Sequence, residues 1–442
     1  MQTDVTRLWM SRDALVAHQE RKLAHLLRTI LPDNAFWAER FRGTDLKGGD
    51  SLPLEEFRKL PLTGKVELAN DQAAFPPYGS NLTYSVGQFT RFHQTSGTTT
   101  GHPLRILDTP DSWKWVLGCW DSIYRLLELN PDDRLCFPFS FGPFLGFWAG
   151  FEGAVQQGRM VIAAGGMGSE ARLRLILDNA VTMIGCTPTY ALRLAEVAQA
   201  NGIDLPKSAV RAILVAGEPG GNIPQTRQRI EQAWGARVFD HWGMTELGPL
   251  ATECADDPGN LTVLETECFA EVLDRETLQP VQPGQMGELV VTNFGRLGAP
   301  MIRYRTGDLV KLAAEPHASG RILMRLEGGV LGRTDDMLII RGNNLFPSSL
   351  EAIVREFPEI VEFRLVVSEH REMQHLRLEI EPLPEFAAQG VTLVKNLSVR
   401  LKERLSFQTE IQVVPPESLP RFEMKAKRVV REKTAPTTGE TA

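Results

Sequence analysis

Apolar positions recur at helical spacing near the start of the chain. In RDALVAHQERKLAHLLRTIL (12–31), Leu15, Leu23, Leu26, Leu27 and Ile30 fall close to one face with charges between them, which predicts an amphipathic helix. PLEEFRKLPLTGKVELAND (53–71) reads as a second helical and loop region, leading into the hydroxyl- and glycine-rich run FHQTSGTTTGHP (92–103). Beyond it the pattern changes. MVIAA (160–164), VTMIGC (181–186) and RAILVAG (211–217) are short apolar runs with β-branched residues, and helical stretches such as TYALRLAEVAQANG (189–202) separate them. Strands alternating with helices predict a mainly parallel sheet covered by helices.

From about residue 268 the apolar runs crowd together: CFAEVLD (268–274), GELVVTN (287–293), MIRYRTGDLVKL (301–312), RILMRL (321–326) and DMLIIRG (336–342). These predict a β-rich region. SSLEAIVREFP (348–358) then opens with Ser348 and Glu351 at capping-box spacing, which predicts a helix start. VEFRLVV (361–367), LRLEIE (376–381), the helical LVKNLSVRLKERL (393–405) and IQVVPP (411–416) complete a small β/α unit of about a hundred residues. The closing EKTAPTTGETA (432–442) is polar and is expected to be disordered.

At 442 residues the chain is long for one core, so two or three domains are expected. The formal net charge of −7 argues against nucleic acid as the main partner, because duplex binding needs a basic footprint. No apolar run reaches the roughly 18–20 residues of a membrane span, and MQTDVTRLWMSRD lacks the layout of a signal peptide. Cys119, Cys136, Cys186, Cys254 and Cys268 are dispersed, as reduced thiols of a cytosolic protein would be. The expectation is a cytoplasmic protein acting on small molecules, with no nucleic-acid or membrane partner.

Several segments carry groups suited to chemistry. Thr95, Ser96, Gly97, Thr98, Thr99, Thr100 and Gly101 offer backbone N–H groups and hydroxyls to an anion, without the lysine of a Walker A loop. FDHWGMTELGP (239–249) sets Thr245 beside Glu246, a hydroxyl for phosphate next to a carboxylate for Mg²⁺. In MIRYRTGDLV (301–310), Asp308 is an acceptor suited to ribose hydroxyls. LGRTDDMLIIRGNNLFPSSLE (331–351) adds Arg333, Asp335 and a glycine turn at Gly342, and SLPRFEMKAKRVV (418–430) brings Lys425 near the chain end. Each of these is also compatible with a solvated turn, an inter-domain linker or an ordinary surface charge.

Their order is more specific than any one of them. TSGTTTG, AGEP (216–219), HWGMTE, GELVVTN with YRTGD, GRTDD with RG, and LPRFEMKAKR follow the sequence order of the adenylate-forming superfamily, which holds acyl- and aryl-CoA synthetases, adenylation domains and luciferases. Over roughly residues 12–431 the chain most resembles the phenylacetate–CoA ligase-like branch. The resemblance implies an α/β fold: a large N-terminal adenylate-forming domain (1–334) with mixed, mainly parallel sheets and a β-rich subdomain, a small mobile C-terminal α+β domain (335–432), and a tail (433–442). It implies ATP, Mg²⁺ and CoA as cofactors and a small-molecule carboxylic acid as substrate.

By the same resemblance, Thr95–Gly101 would close over the β- and γ-phosphates. Gly217, Glu218 and Pro219 would lie against adenine, with Asp240, His241, Trp242, Gly243 and Met244 completing the nucleotide site. Thr245 would contact the α-phosphate and Glu246 would hold Mg²⁺. Asp308 would bind the ribose, with Arg333 beside it, and Asp335 would be the hinge. Lys425, rather than its neighbour Lys427, would bridge the carboxylate and the α-phosphate. The usual loop reads close to SSGTTGKP. Here it carries an extra threonine and His102 in place of lysine, so its cationic contribution at neutral pH is expected to be weaker.

The run LCFPFSFGPFLGFWAGFEG (135–153) concentrates Phe137, Phe139, Phe141, Phe144, Phe147, Trp148 and Phe151. Some of these rings are expected in the core. Phe141, Gly142 and Trp148, together with Ala216, Trp242 and Gly243, are expected to line a pocket for a flat apolar acid. Some members of the branch carry a structural zinc; ECADDPGNLTVLETEC keeps Cys254 and Cys268 without a histidine between them, and four ligands are the norm. Zinc is therefore not expected. Readings left open are a carrier-protein thiol or an amine as acceptor, a homodimer, and a non-catalytic nucleotide-binding relic.

Overall fold

The computed structural model describes residues 10–44, 49–95, 102–139, 141–340, 343–370, 373–405, 408–422 and 425–432. The first predicted helix spans Arg12–Ile30. Ser11 caps it by accepting from the N–H of Ala14, and Leu15, Leu23, Leu26, Leu27 and Ile30 are all buried, as the spacing requires. It packs with Trp37 and Phe57 against Phe269, Phe294 and Ile302, which tethers the N-terminal segment to the β-rich half of the molecule.

One eleven-stranded sheet dominates the described residues. Its first half runs Met160–Ala163, Arg134–Phe137, Met183–Cys186, Ala212–Ala216 and Arg237–Met244, all paired in parallel. Helices Pro110–Leu126, Gly146–Gln156, Ser169–Asp178, Pro188–Ala200 and Pro224–Trp234 cover it. Met183–Cys186 is buried along its whole length, as a parallel strand covered on both faces must be. The other half is antiparallel: Gly248–Cys254, Asp257–Val263, Arg325–Arg333, Tyr304–Leu312, Met286–Asn293 and Cys268–Leu273. The parallel block and the β-rich region expected from sequence are thus one continuous sheet, and the change of direction falls at Arg237–Met244.

A second, four-stranded sheet is ordered Glu410–Val413, Met373–Pro382, Ile360–His370, Val429–Glu432. Helices Pro347–Val354 and Gly390–Leu405 pack on it around Leu350, Ile353, Phe363, Leu378, Leu397 and Leu401.

Two local expectations are corrected. RILMRL is not itself a strand: the strand begins at Arg325 and continues through Gly328 and Gly329 to Arg333. The helix expected to start with a Ser348–Glu351 capping box starts instead at Pro347, with Phe346 as N-cap and no side-chain cap. The Ser348 hydroxyl donates to the carbonyl of Leu331, and Glu351 turns to Arg428. Proline at the first helical position presets φ and lacks an N–H that would be an orphan anyway, so the helix starts without that box.

Candidate active site

Ala212–Ala216 and Arg237–Met244 are the last two parallel strands, and open α/β sheets bind ligands beyond the C-terminal ends of such strands. The first strand ends at Ala216 and Gly217. The second runs into the turn of Thr245 and Glu246. Gly217 takes φ +93°, and a Cβ built on it would stand 3.2 Å from Cε of Lys425. Glycine supplies that conformation and leaves room for the lysine to cross the strand end.

Lys425 comes from the far end of the chain, just before the Val429–Glu432 strand that pairs in parallel with Leu365–Ser368. The next residue, Ala426, donates its N–H to Glu218 Oε2 at 2.5 Å, while Glu218 Oε1 accepts from the N–H of Thr189 at 2.9 Å. Thr189 lies in the first turn of Pro188–Ala200, where N–H groups lack intrahelical acceptors and the helix end is partly positive, so a carboxylate is favoured there. Glu218 therefore ties the lysine segment to a helix of the large sheet. Arg428 adds a second tie: it pairs with Glu362 at 2.7 Å and Glu351 at 3.3 Å, and donates to the Thr189 hydroxyl at 3.3 Å.

Burial pushes the Lys425 ammonium below the ordinary lysine range; Glu218, Glu246 and Asp308 pull it back, and Arg333 pushes it further down. The residue is nonetheless exposed, so solvent moderates the lowering.

Glu246 is buried. Its Oε1 receives the Tyr304 hydroxyl at 3.3 Å and faces the Lys65 ammonium at 3.8 Å; among the described residues no donor meets Oε2. Fully buried Arg296 holds the turn by donating to the carbonyls of Thr245 and Glu246 at 2.6 and 3.0 Å, and it pairs with Asp108 at 2.9 Å. Among the described residues no group of three or more His, Cys, Asp or Glu side chains could hold a metal alone. A single carboxylate with a spare oxygen fits Mg²⁺, which takes one or two carboxylates and completes its shell with substrate phosphates and water.

Asp308 is buried between two donors: the Trp242 indole N–H reaches Oδ2 at 2.8 Å and Arg333 reaches Oδ1 at 2.8 Å. Arg333 also grips both oxygens of Asp335, at 2.9 and 3.1 Å. One guanidinium thus links the expected ribose acceptor to the expected hinge. Burial raises the Asp308 carboxyl, with Arg333 and Trp242 working against it. Asp240 is raised to about 7, chiefly by burial and next by Glu253, which Arg227 holds nearby. Gly243 and Pro219 are exposed, while Met244 and Thr245 are half-buried.

The rings of the aromatic run divide. Phe137 and Phe147 are buried core, whereas Phe139, Phe141, Trp148 and Phe151 are partly buried. Phe141 sits 4.7 Å from Trp148, 5.8 Å from Phe139 and 5.6 Å from Phe151, centroid to centroid. Trp148 donates to the carbonyl of Gly142 at 3.0 Å, which satisfies its one polar atom. Phe137 and Trp120 meet at Gly150, where a Cβ would lie 3.2–3.3 Å from both, and Trp120 packs against His241 at 4.8 Å. A wall of rings therefore runs from Phe141 to His241, whose strand partner is Ala216.

Thr95 is buried and pins the base of the hydroxyl-rich loop: its hydroxyl accepts from the N–H of Leu104 at 3.0 Å, so that group anchors the loop instead of facing outward. Ser96, Gly97, Thr98, Thr99, Thr100 and Gly101, and the glycine turn at Gly342, lie outside the described residues. Lys65, Tyr304 and Arg296 were not singled out by sequence. The one available signal was a lone cation in a short glycine-flanked context, TGK for Lys65 and FGRLG for Arg296.

Residues 93–295 match the family model described as AMP-binding enzyme, and residues 342–433 match the AMP-binding enzyme C-terminal domain. The chain is 31% identical over 446 residues to the phenylacetate-coenzyme A ligase of Pseudomonas putida, covering 96% of each chain. Among solved structures it resembles 2-hydroxyisobutyryl-CoA ligase in the postadenylation state with R3-HIB-AMP, at TM-score 0.90 and 26% identity, covering 97% of this chain and 91% of that one. Against the same ligase with 2-HIB-AMP and CoA in the thioesterification state the TM-score is 0.72 at 26% identity, covering 97% and 92%.

Proposed function

The chain belongs to the adenylate-forming AMP-binding enzymes, in their phenylacetate–CoA ligase-like branch, and from that premise we propose that it joins an apolar aromatic acid to CoA. It is an AMP-forming ligase: a carboxylate oxygen bonds to the α-phosphorus of ATP as pyrophosphate leaves, and the CoA thiol then displaces AMP from the acyl carbonyl. The observation that carries the residue assignments is Lys425, which crosses Gly217 with Glu246, Asp308 and Arg333 around it.

The first step brings two anions together, so its barrier falls when cations neutralise their approach. Lys425 bridges the attacking carboxylate and the α-phosphate, and Thr245 donates to the same phosphate. Glu246 would hold Mg²⁺, which would supply charge to the phosphates, and Lys65 and Tyr304 orient its carboxylate. Asp308 accepts from the ribose hydroxyls while Arg333 and Trp242 keep it ionised and aimed. Pro219 and Gly217 border the adenine. Phe141, Trp148, Gly142 and Ala216 enclose the acid.

The greater likeness to the postadenylation arrangement than to the thioesterification arrangement of one related ligase supports reading this structure as the adenylating form. Residues 1–334 would then form the body and 335–432 a lid turning about Asp335. Incubating the protein with ATP, Mg²⁺ and aromatic acids, with and without CoA, tests the reading. Pyrophosphate release together with acid-dependent CoA thioester is expected. Adenylate that passes to an amine or a carrier-protein thiol and never to CoA would overturn the acceptor, and no pyrophosphate with any acid would favour a nucleotide-binding relic.

A further inference from the structure

His241 is an unusual lining for an apolar pocket. It is only 8% exposed, and its Nδ1 lies 2.8 Å from the carbonyl oxygen of Ala251. A carbonyl can only accept, so Nδ1 carries the proton and the lone pair of the neutral ring sits on Nε2. Burial keeps the ring neutral at physiological pH, lowering it to about 4. The ring's hydrogen bond among the described residues is made at Nδ1 and leaves Nε2 to the solvent side.

Three contacts place Nε2 at the expected acyl pocket. His241 is in register with Ala216 on the neighbouring parallel strand. A Cβ built on Gly243 would stand 3.4 Å from Nε2, and Gly243 is exposed. The ring packs on Trp120 at the end of the aromatic wall. Alternation along the strand sends Asp240 and Trp242 the other way, toward Gly329 and Asp308, so His241 belongs with the acid rather than with the nucleotide it was grouped with by sequence. A ligand that displaces solvent from Nε2 must replace that hydrogen bond, or the lone pair is left unpaired at a cost of about 1–3 kcal/mol.

We propose that His241 selects an aromatic acid whose ring bears a hydrogen-bond donor, with a phenolic hydroxyl donating to Nε2 of His241. A hydroxyl donates as well as accepts, so it answers the histidine lone pair. A purely hydrocarbon ring would leave the histidine lone pair dry and unpaired, and sites built around a substrate hydroxyl discriminate against its absence more strongly than apolar pockets discriminate by size.

The inference rests on the ligase reading, and the test separates the two. Thioester formation would be compared for phenylacetate, the ortho, meta and para hydroxyphenylacetates, and the matching methylphenylacetates, which copy size without the donor. One hydroxy isomer is expected to exceed its methyl counterpart about tenfold or more in kcat/KM, near the value of one net hydrogen bond. In His241→Leu that ratio should fall to parity or invert, whereas damage to the fold would lower both acids together and keep the ratio. Methyl and hydroxy acids used equally by the native enzyme, or a ratio unchanged in His241→Leu, would overturn the inference and leave the ligase reading standing. No thioester from any acid would overturn both.

Discussion

Lys425 brings a positive charge to the end of the Ala212–Ala216 strand, where the proposed mechanism has two anions meet. Lys425→Ala is expected to lower acyl-adenylate formation by about 10²–10³ while ATP still binds, as for loss of one preorganised electrostatic donor. Equal pyrophosphate release by the variant would sink the assignment. Because burial lowers its pKa, adenylation should lose its alkaline limb below the free-lysine range of about 10.4, and thioester formation from supplied acyl-adenylate should lack that limb. Histidines set the acid side. His93 and His241 are each lowered to about 4 by burial, against about 6.5 when unfolded. Between those values the unfolded chain binds the extra proton, so stability present above about pH 6.5 is lost as pH falls toward 4, by up to roughly 1.4 kcal/mol per pH unit for each ring. Asp240, raised to about 7, acts in the opposite sense over much of that window: it stays protonated in the fold, and stability falls as pH rises. Melting temperatures of His93→Phe and His241→Leu between pH 4 and 7 should therefore lose part of the acid-side decline seen in the native protein. Native-like slopes in both variants would contradict the buried neutral rings.

At the scale of elements, the Pro188–Ala200 helix end and the Lys425 segment share one carboxylate. Glu218→Gln keeps the size but offers one acceptor oxygen to two N–H donors. It is expected to slow adenylation about tenfold, by one lost charge-assisted hydrogen bond. Thioester formation from supplied acyl-adenylate should be little changed, and equal slowing of both half-reactions would reduce Glu218 to a structural role. This contact was not legible in AGEP, which pointed to adenine, because the lysine lies more than two hundred residues away in sequence. The elements around it differ in how far they could be read. Met183–Cys186 and Ala212–Ala216 are apolar runs with little alternation and were visible as strands. Gly248–Cys254 and Asp257–Val263 were read only as a metal question. They carry Glu253, Pro258 and Gly259 instead of a strand-like pattern, and they pair because neighbours on the sheet bury them and Arg227 satisfies Glu253.

At the scale of the whole molecule, the large and small sheets each have their own core, and Arg333 grips both Asp308 and Asp335. If the smaller unit turns about Asp335 between half-reactions, Asp335→Pro should block thioester formation and spare adenylation, because proline fixes φ at that residue. Asp335→Ala loses the ion pair but keeps the backbone free, so it should retain both half-reactions. Equal survival of both steps in Asp335→Pro would remove the turning mechanism.

The sequence by itself determined the parallel-block strands, the first amphipathic helix, the order of six motifs and therefore the family and its chemistry, because periodicity and short glycine-, hydroxyl- and carboxylate-bearing loops are local properties. Folding decided which of those groups face each other. Glu218 became a tie to the Lys425 segment, Thr95 an anchor and His241 a partner of Trp120 and Ala251, since the first two depend on long-range packing and the third on which face of a buried strand a side chain takes.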